Sequence, residues 1–132
     1  ILDAPIAIIE KQRLGNQDKV QASSLIGNVA GKKVLIVDDE IGTGGTVLAA
    51  VGALGLHGAS EVHCSATHAL LNGDAASKLR DSPLQELVVT DTVPVSAEKR
   101  FDRLKVLSVA SLLGEAIHRI HSGLSVGAMF DA

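Results

Sequence analysis

The chain has 132 residues, a formal charge of −3 and 46 % hydrophobic residues, the size of one domain with enough apolar material for a core. Two Phe and no Tyr or Trp leave almost no platform for stacking bases, and the Lys and Arg residues are scattered, so nucleic acid is excluded as a partner. Cys64 is the only cysteine, which excludes an intrachain disulfide, and no apolar run reaches the length of a membrane span, so a cytoplasmic protein with no membrane partner is expected.

Pro5 to Ile9 is a short apolar run in which Ile6, Ile8 and Ile9 suit a pleated backbone, and a strand is expected there. The chain enters it from Ile1 without a polar lead-in, as a fragment would. Lys11 and Arg13 follow, and Leu14 to Gly31 then turns small and polar, the composition of a long loop. Lys32-Lys33 gives way to Val34-Leu35-Ile36-Val37, a continuous run of the kind found in a buried parallel sheet, which Asp38 and Asp39 end. After a glycine-rich turn at 42–45, Thr46 opens a helix in which Val47, Leu48, Val51 and Leu54 keep helical spacing, with Gly58 at its left-handed cap.

The pattern repeats as a strand near Glu61 to Ala66, a weak helix near Asp74 to Arg80 and a strand near Leu87 to Thr90. Pro94 to Arg103 is a charged connection and Val106 to Val109 a last strand. A helix from about Ser111 to His121 is expected to bury Leu112, Leu113, Ala116, Ile117 and Ile120 before Gly123 closes it. Strands and helices alternating at these lengths argue for an α/β fold with a doubly wound, mainly parallel sheet, whose ligands sit at the carboxyl ends of the strands.

At such an end, VLIVDDEIGTGGT over 34–46 joins two opposed requirements. Gly44 and Gly45 admit backbone angles that let successive N–H groups converge on an anion at the positive end of a helix. Asp38 and Asp39 repel an anion but accept hydrogen bonds from vicinal hydroxyls or face a divalent cation. A sugar phosphate satisfies both. A dinucleotide-binding turn is disfavoured, because its third glycine would fall on Val47 and three acids, Asp38, Asp39 and Glu40, precede the pyrophosphate position. KVLIVDDE is similar to the opening of a response-regulator receiver domain, but that similarity ends at Glu40, and Lys105 follows Asp91 too soon.

The same run resembles, at every position, the phosphoribosyl-pyrophosphate signature of type I phosphoribosyltransferase-fold proteins. PIAIIEKQR, THALLNGDAASKL from Thr67, ELVVTDTVP from Glu86 and LSVASLLGEAIHRIHSGLSVGAMF from Leu107 to Phe130 resemble further blocks of one family of that fold, ribose-phosphate pyrophosphokinase. The last block separates that family from other phosphoribosyltransferases. The resemblance implies an enzyme that moves pyrophosphate from ATP to the C1 hydroxyl of ribose 5-phosphate with Mg2+, giving phosphoribosyl pyrophosphate and AMP. It also implies a homo-oligomer, a hexamer in the family.

By the same resemblance Lys11 and Arg13 are the catalytic pair, Asp38 and Asp39 face the ribose hydroxyls and the metal, and Thr43, Gly44, Gly45 and Thr46 hold the 5-phosphate. Residues 1–132 then form a partial carboxy-terminal phosphoribosyltransferase-like domain. The family's amino-terminal half is absent from it, the sheet is expected to be incomplete on its amino-terminal side, and the chain alone is expected to be inactive. Gly42 stands where many members carry an acid, and Gly44 where many carry Ala. A nucleobase phosphoribosyltransferase and a non-catalytic regulatory partner of a pyrophosphokinase stay open as alternatives.

Without the resemblance, Lys11 and Arg13 read as a solvated strand edge. His57, His63 and His68 fit no metal-ligand spacing. His57, His118 and His121 suit helix carboxyl ends, and His68 has no assigned role. Cys64 reads as a small buried hydrophobe and Asp91 as a turn residue before Pro94.

Overall fold

The computed structural model describes residues 3–12 and 21–130, with residues 10–12 and 21–24 described by their backbone alone. Strand β1 (Ile8–Gln12) pairs antiparallel with β2 (Gln21–Ile26), Ile8 opposite Ile26 and Ile9 opposite Leu25, with a bulge between Glu10 and Lys11. β2 occupies part of the stretch expected to be loop. Half of its residues are polar, and what makes it a strand is the ladder offered by β1, since strand formation depends on cross-strand context more than on composition.

The remaining elements alternate: β3 (Lys33–Ile41), α1 (Gly45–Leu56), β4 (Glu61–Ala69), α2 (Ala75–Asp81), β5 (Glu86–Thr90), β6 (Leu104–Leu107) and α3 (Ala110–His121). The four strands form a parallel sheet in the order β3-β4-β5-β6, which is the expected α/β class. Because the strands follow in chain order and such crossovers are right-handed, α1 and α2 lie on the same face.

That face is the core. Strand alternation turns Val62, Cys64 and Ala66 of β4 and Leu87 and Val89 of β5 toward Val47, Val51 and Leu54 of α1 and Ala75 and Leu79 of α2. Cys64 is fully buried, as expected, and burial first, then the charge of Asp38, pushes its thiol up to about 11.

The opposite face, where a doubly wound sheet carries its second layer, leaves Leu35, Val37 and Leu107 exposed. A row of charges crosses its amino-terminal end: Lys33 pairs with Glu61 at 3.0 Å, His63 stands 3.3 Å from Glu61 and 3.8 Å from Glu86, and Lys105 pairs with Glu86. Hydrogen bonds from Lys33 and Lys105 respectively hold the Glu61 and Glu86 carboxyls below the usual range. α3 corrects the sequence reading: Leu112, Leu113, Ile117 and Ile120 are exposed and Ala116 is only half-buried. Helical periodicity specifies an apolar stripe but not a layer to receive it.

Candidate functional site

β3 runs three residues past the pairing of Asp38 with Ala66, matching Glu40 with His68 and Ile41 with Ala69, so its acids stand at the carboxyl edge of the sheet. Counting by twos, Val34, Ile36 and Asp38 share the helix-bearing side and Leu35 and Val37 the open one; the alternation ends there, since Asp39 and Glu40 are both exposed and Ile41 is buried in the core. A cleft of about 230 Å³ opens there, lined by Asp38, Glu40 and the run from Ile41 to Val47.

Of the candidate residues, Asp38, Thr43, Gly44, Gly45 and Thr46 line this cleft together, and Asp39 does not. The Asp39 carboxylate instead accepts the Glu40 N–H at 2.8 Å, and its own N–H donates to Asp38 Oδ1 at 3.0 Å. Glu40 lines the cleft and is the acid that sequence reasoning left out of the site; strand alternation would not have found it, because the pattern breaks between Asp38 and the buried Ile41. Arg13 lies outside the described residues, and of Lys11 only the backbone is described, opposite Ala22.

The loop is shaped from both sides. Gly44, at φ +76°, is the residue before the first turn of α1, and its carbonyl accepts the Leu48 N–H at 2.9 Å. The helix has no capping side-chain hydrogen bond and no acid in its first turn, so its positive end meets the cleft without a competing carboxylate on the helix itself. From the other side, the Leu71 N–H donates to the Ile41 carbonyl at 3.0 Å and the Asn72 N–H to the Gly42 carbonyl at 2.9 Å. Leu71 is fully buried at φ +47°, a left-handed conformation that costs a non-glycine residue about 1–2 kcal/mol. The backbone bond to Ile41 is made from that strained position.

A Cβ at Gly42 would have only Asn72 Nδ2 near it, at 4.0 Å, so the position has room for a Cβ. Mg2+ binds through one or two carboxylates and completes its octahedron with water and substrate phosphate. Asp38 and Glu40, which line the cleft, are two carboxylates of that kind, and Asp39 is not among the lining residues. Among the described residues no group of three or more His, Cys, Asp or Glu side chains is arranged to hold a metal by itself.

Beside the cleft, β4 and β5 end in a polar cluster. His68 Nδ1 lies 2.8 Å from Thr92 Oγ1, and the Thr90 and Thr92 hydroxyls lie 2.7 and 3.0 Å from the Thr67 carbonyl. Asp91 accepts the Val109 N–H at 2.9 Å at the start of α3, and the Ser108 hydroxyl, then that N–H, hold its carboxyl below the usual range. Its role is therefore to anchor α3. His57 contacts the Ala53 carbonyl at 2.9 Å at the end of α1, as expected of a helix-terminal histidine.

A parallel α/β sheet with a glycine-rich strand-to-helix loop, acids at the strand end and a helix start open to the cleft defines the class: an α/β protein built to receive a small ligand at one strand's carboxyl end. Residues 9–131 match the model of the phosphoribosyl synthetase-associated domain. The chain belongs to that family. It is 48 % identical over 129 residues to the ribose-phosphate pyrophosphokinase of Caldanaerobacter subterraneus, covering 98 % of this chain and 40 % of the relative. With the enzyme of the same name from Gloeobacter violaceus it shares 46 % over 128 residues, covering 97 % of this chain and 38 % of the relative. The crystal structure of phosphoribosylpyrophosphate synthetase from Mycobacterium smegmatis superposes with a TM-score of 0.74 at 36 % identity, covering 82 % of this chain and 35 % of that one. The chain thus spans two fifths or less of the length of these relatives. Among the described residues no helix is long and apolar enough to cross a membrane.

Proposed function

We propose that this chain supplies the ribose-5-phosphate site of a ribose-phosphate pyrophosphokinase, the enzyme that transfers pyrophosphate from ATP to ribose 5-phosphate. The observation that carries the reading is the cleft itself, whose lining joins Asp38 and Glu40 to the glycine-rich start of α1. Acids suit sugar hydroxyls and a helix start suits the 5-phosphate, and a pentose phosphate presents both a few bonds apart. At about 230 Å³ the cleft is smaller than the roughly 300–1,000 Å³ of sites for drug-sized ligands, which suits a sugar phosphate rather than a whole nucleotide.

In this reading Thr43, Gly44, Gly45 and Thr46 hold the phosphate and Asp38 holds the ribose hydroxyls. Asp38 and Glu40 would hold Mg2+, which would supply charge neutralisation. Lys11 and Arg13 offset charge on the transferred group. ATP contacts and the assembly into a homo-oligomer belong to the whole enzyme.

Calorimetric titration of the chain with ribose 5-phosphate, with and without Mg2+, tests the reading against an Asp38→Asn, Asp39→Asn double variant. Saturable binding that the double variant loses supports it. A folded chain that binds neither ribose 5-phosphate nor inorganic phosphate overturns it.

A further inference from the structure

We propose that His68 is a specificity-determining residue of this cleft, its Nε2 accepting a hydrogen bond from a hydroxyl of the bound sugar phosphate. The inference rests on the sugar-phosphate reading above and adds a residue from a second strand.

Position comes first. His68 pairs with Glu40 in the β3–β4 register, so their backbones are one strand spacing apart, about 4.8 Å, at the carboxyl edge of the sheet. Glu40 lines the cleft; His68 is not itself among the lining residues, and because neighbours in register turn their side chains the same way its ring stands beside Glu40 at the edge of the cleft.

The ring is also fixed, and proton counting sets its tautomer. The Thr67 carbonyl, Thr90 Oγ1 and Thr92 Oγ1 form a triangle with sides of 2.7, 3.0 and 2.8 Å. Two hydroxyl protons serve its three sides. If Thr92 gave its proton to His68, one proton would remain for three close oxygen contacts. The better-satisfied arrangement keeps both protons inside the triangle and has His68 Nδ1–H donating to Thr92 at 2.8 Å. The Thr92 N–H, donating to Thr90 Oγ1 at 3.2 Å, pins the triangle to the backbone.

In the neutral ring Nε2 is then a lone pair, and it has no partner among the described residues. An exposed imidazole, clamped through one nitrogen beside a cleft and offering the other as an acceptor, matches a donor on the ligand. The donors of a sugar phosphate are its hydroxyls.

The test is calorimetric titration of the unsubstituted chain, His68→Asn and His68→Gln with ribose 5-phosphate and, separately, inorganic phosphate. The Asn amide stands near the place of Nδ1 and keeps a donor for Thr92, whereas the Gln amide reaches the place of Nε2. The expected result is ribose 5-phosphate binding weakened about fivefold in His68→Asn, the effect of losing one neutral hydrogen bond, with phosphate binding unchanged and partial recovery in His68→Gln. Equal affinity of His68→Asn and the unsubstituted chain for ribose 5-phosphate overturns this inference and leaves the cleft reading standing. So does parallel weakening toward both ligands, which would mean a disturbed loop rather than a lost hydroxyl contact. Absence of binding to the unsubstituted chain overturns both readings.

Discussion

Gly44 packs on Leu79: a Cβ built on the glycine stands 3.5 Å from both Cγ and Cδ1 of the leucine. The turn from β3 into α1 therefore rests on α2, an element that contributes nothing to the cleft lining. The cleft takes its shape partly from a core residue two elements further along the chain.

Gly44→Ala is expected to fold. A contact at 3.5 Å is ordinary van der Waals distance, so the penalty is the left-handed backbone at φ +76°, about 1–2 kcal/mol for a residue with a Cβ. Thermal unfolding should show a midpoint lower by several degrees. An unchanged midpoint would mean that the turn relaxes out of the left-handed region.

Leu79→Ala should be far more costly, about 2–5 kcal/mol, because Leu79 is fully buried and its removal leaves a cavity under the loop. Ile117→Ser, by contrast, should stay within about 0.5 kcal/mol, since Ile117 is 67 % exposed. Urea denaturation of the two variants side by side checks the contrast.

The acid pair should separate functionally. Asp38→Asn and Glu40→Gln are each expected to weaken ribose 5-phosphate binding by about tenfold or more, the loss of a hydrogen bond to a charged group. Asp39→Asn should change it by less than about threefold, because Asp39 lies outside the cleft lining. Titration of the three single variants decides the order.

Cys64 makes alkaline stability a readout of the core. Its thiol is raised from 9.0 to about 11 in the folded chain, so above pH 9 the unfolded state gives up a proton that the folded state keeps. Stability contributed by the neutral thiol is full below pH 9 and falls as pH rises toward 11. Cys64→Ala should flatten the decline of the unfolding midpoint over that interval, measured by calorimetry.

The β3–α1 unit was legible because two signals coincide there, an apolar run ended by acids and glycines where a helix begins. Ala75–Asp81 and the strands on either side were legible for the same reason, as period changes bounded by turn residues. β2 was not, since QASSLI has no strand signature apart from the β1 ladder it joins. Burial of α3 was not either: its stripe of Leu112, Leu113, Ile117 and Ile120 is real, but what covers a stripe is information carried elsewhere in space. At the site, the residue types were readable and their sidedness was not, because the alternation of Val34 to Asp38 breaks before the buried Ile41. His68 could be given no role from sequence, because its neighbours Glu40 and Thr92 come from other parts of the chain.

Among the described residues one face of the sheet stays open, and this has a thermodynamic consequence. Leu35, Val37, Leu107 and the outer stripe of α3 are already in water in the folded chain, so unfolding exposes little new apolar surface from them. The heat-capacity increment of unfolding grows by about 0.45 cal/mol/K for each Å² of apolar surface newly exposed. For its length, this chain should therefore show a small increment and a shallow, broad stability curve, changing little from cold to ambient temperature.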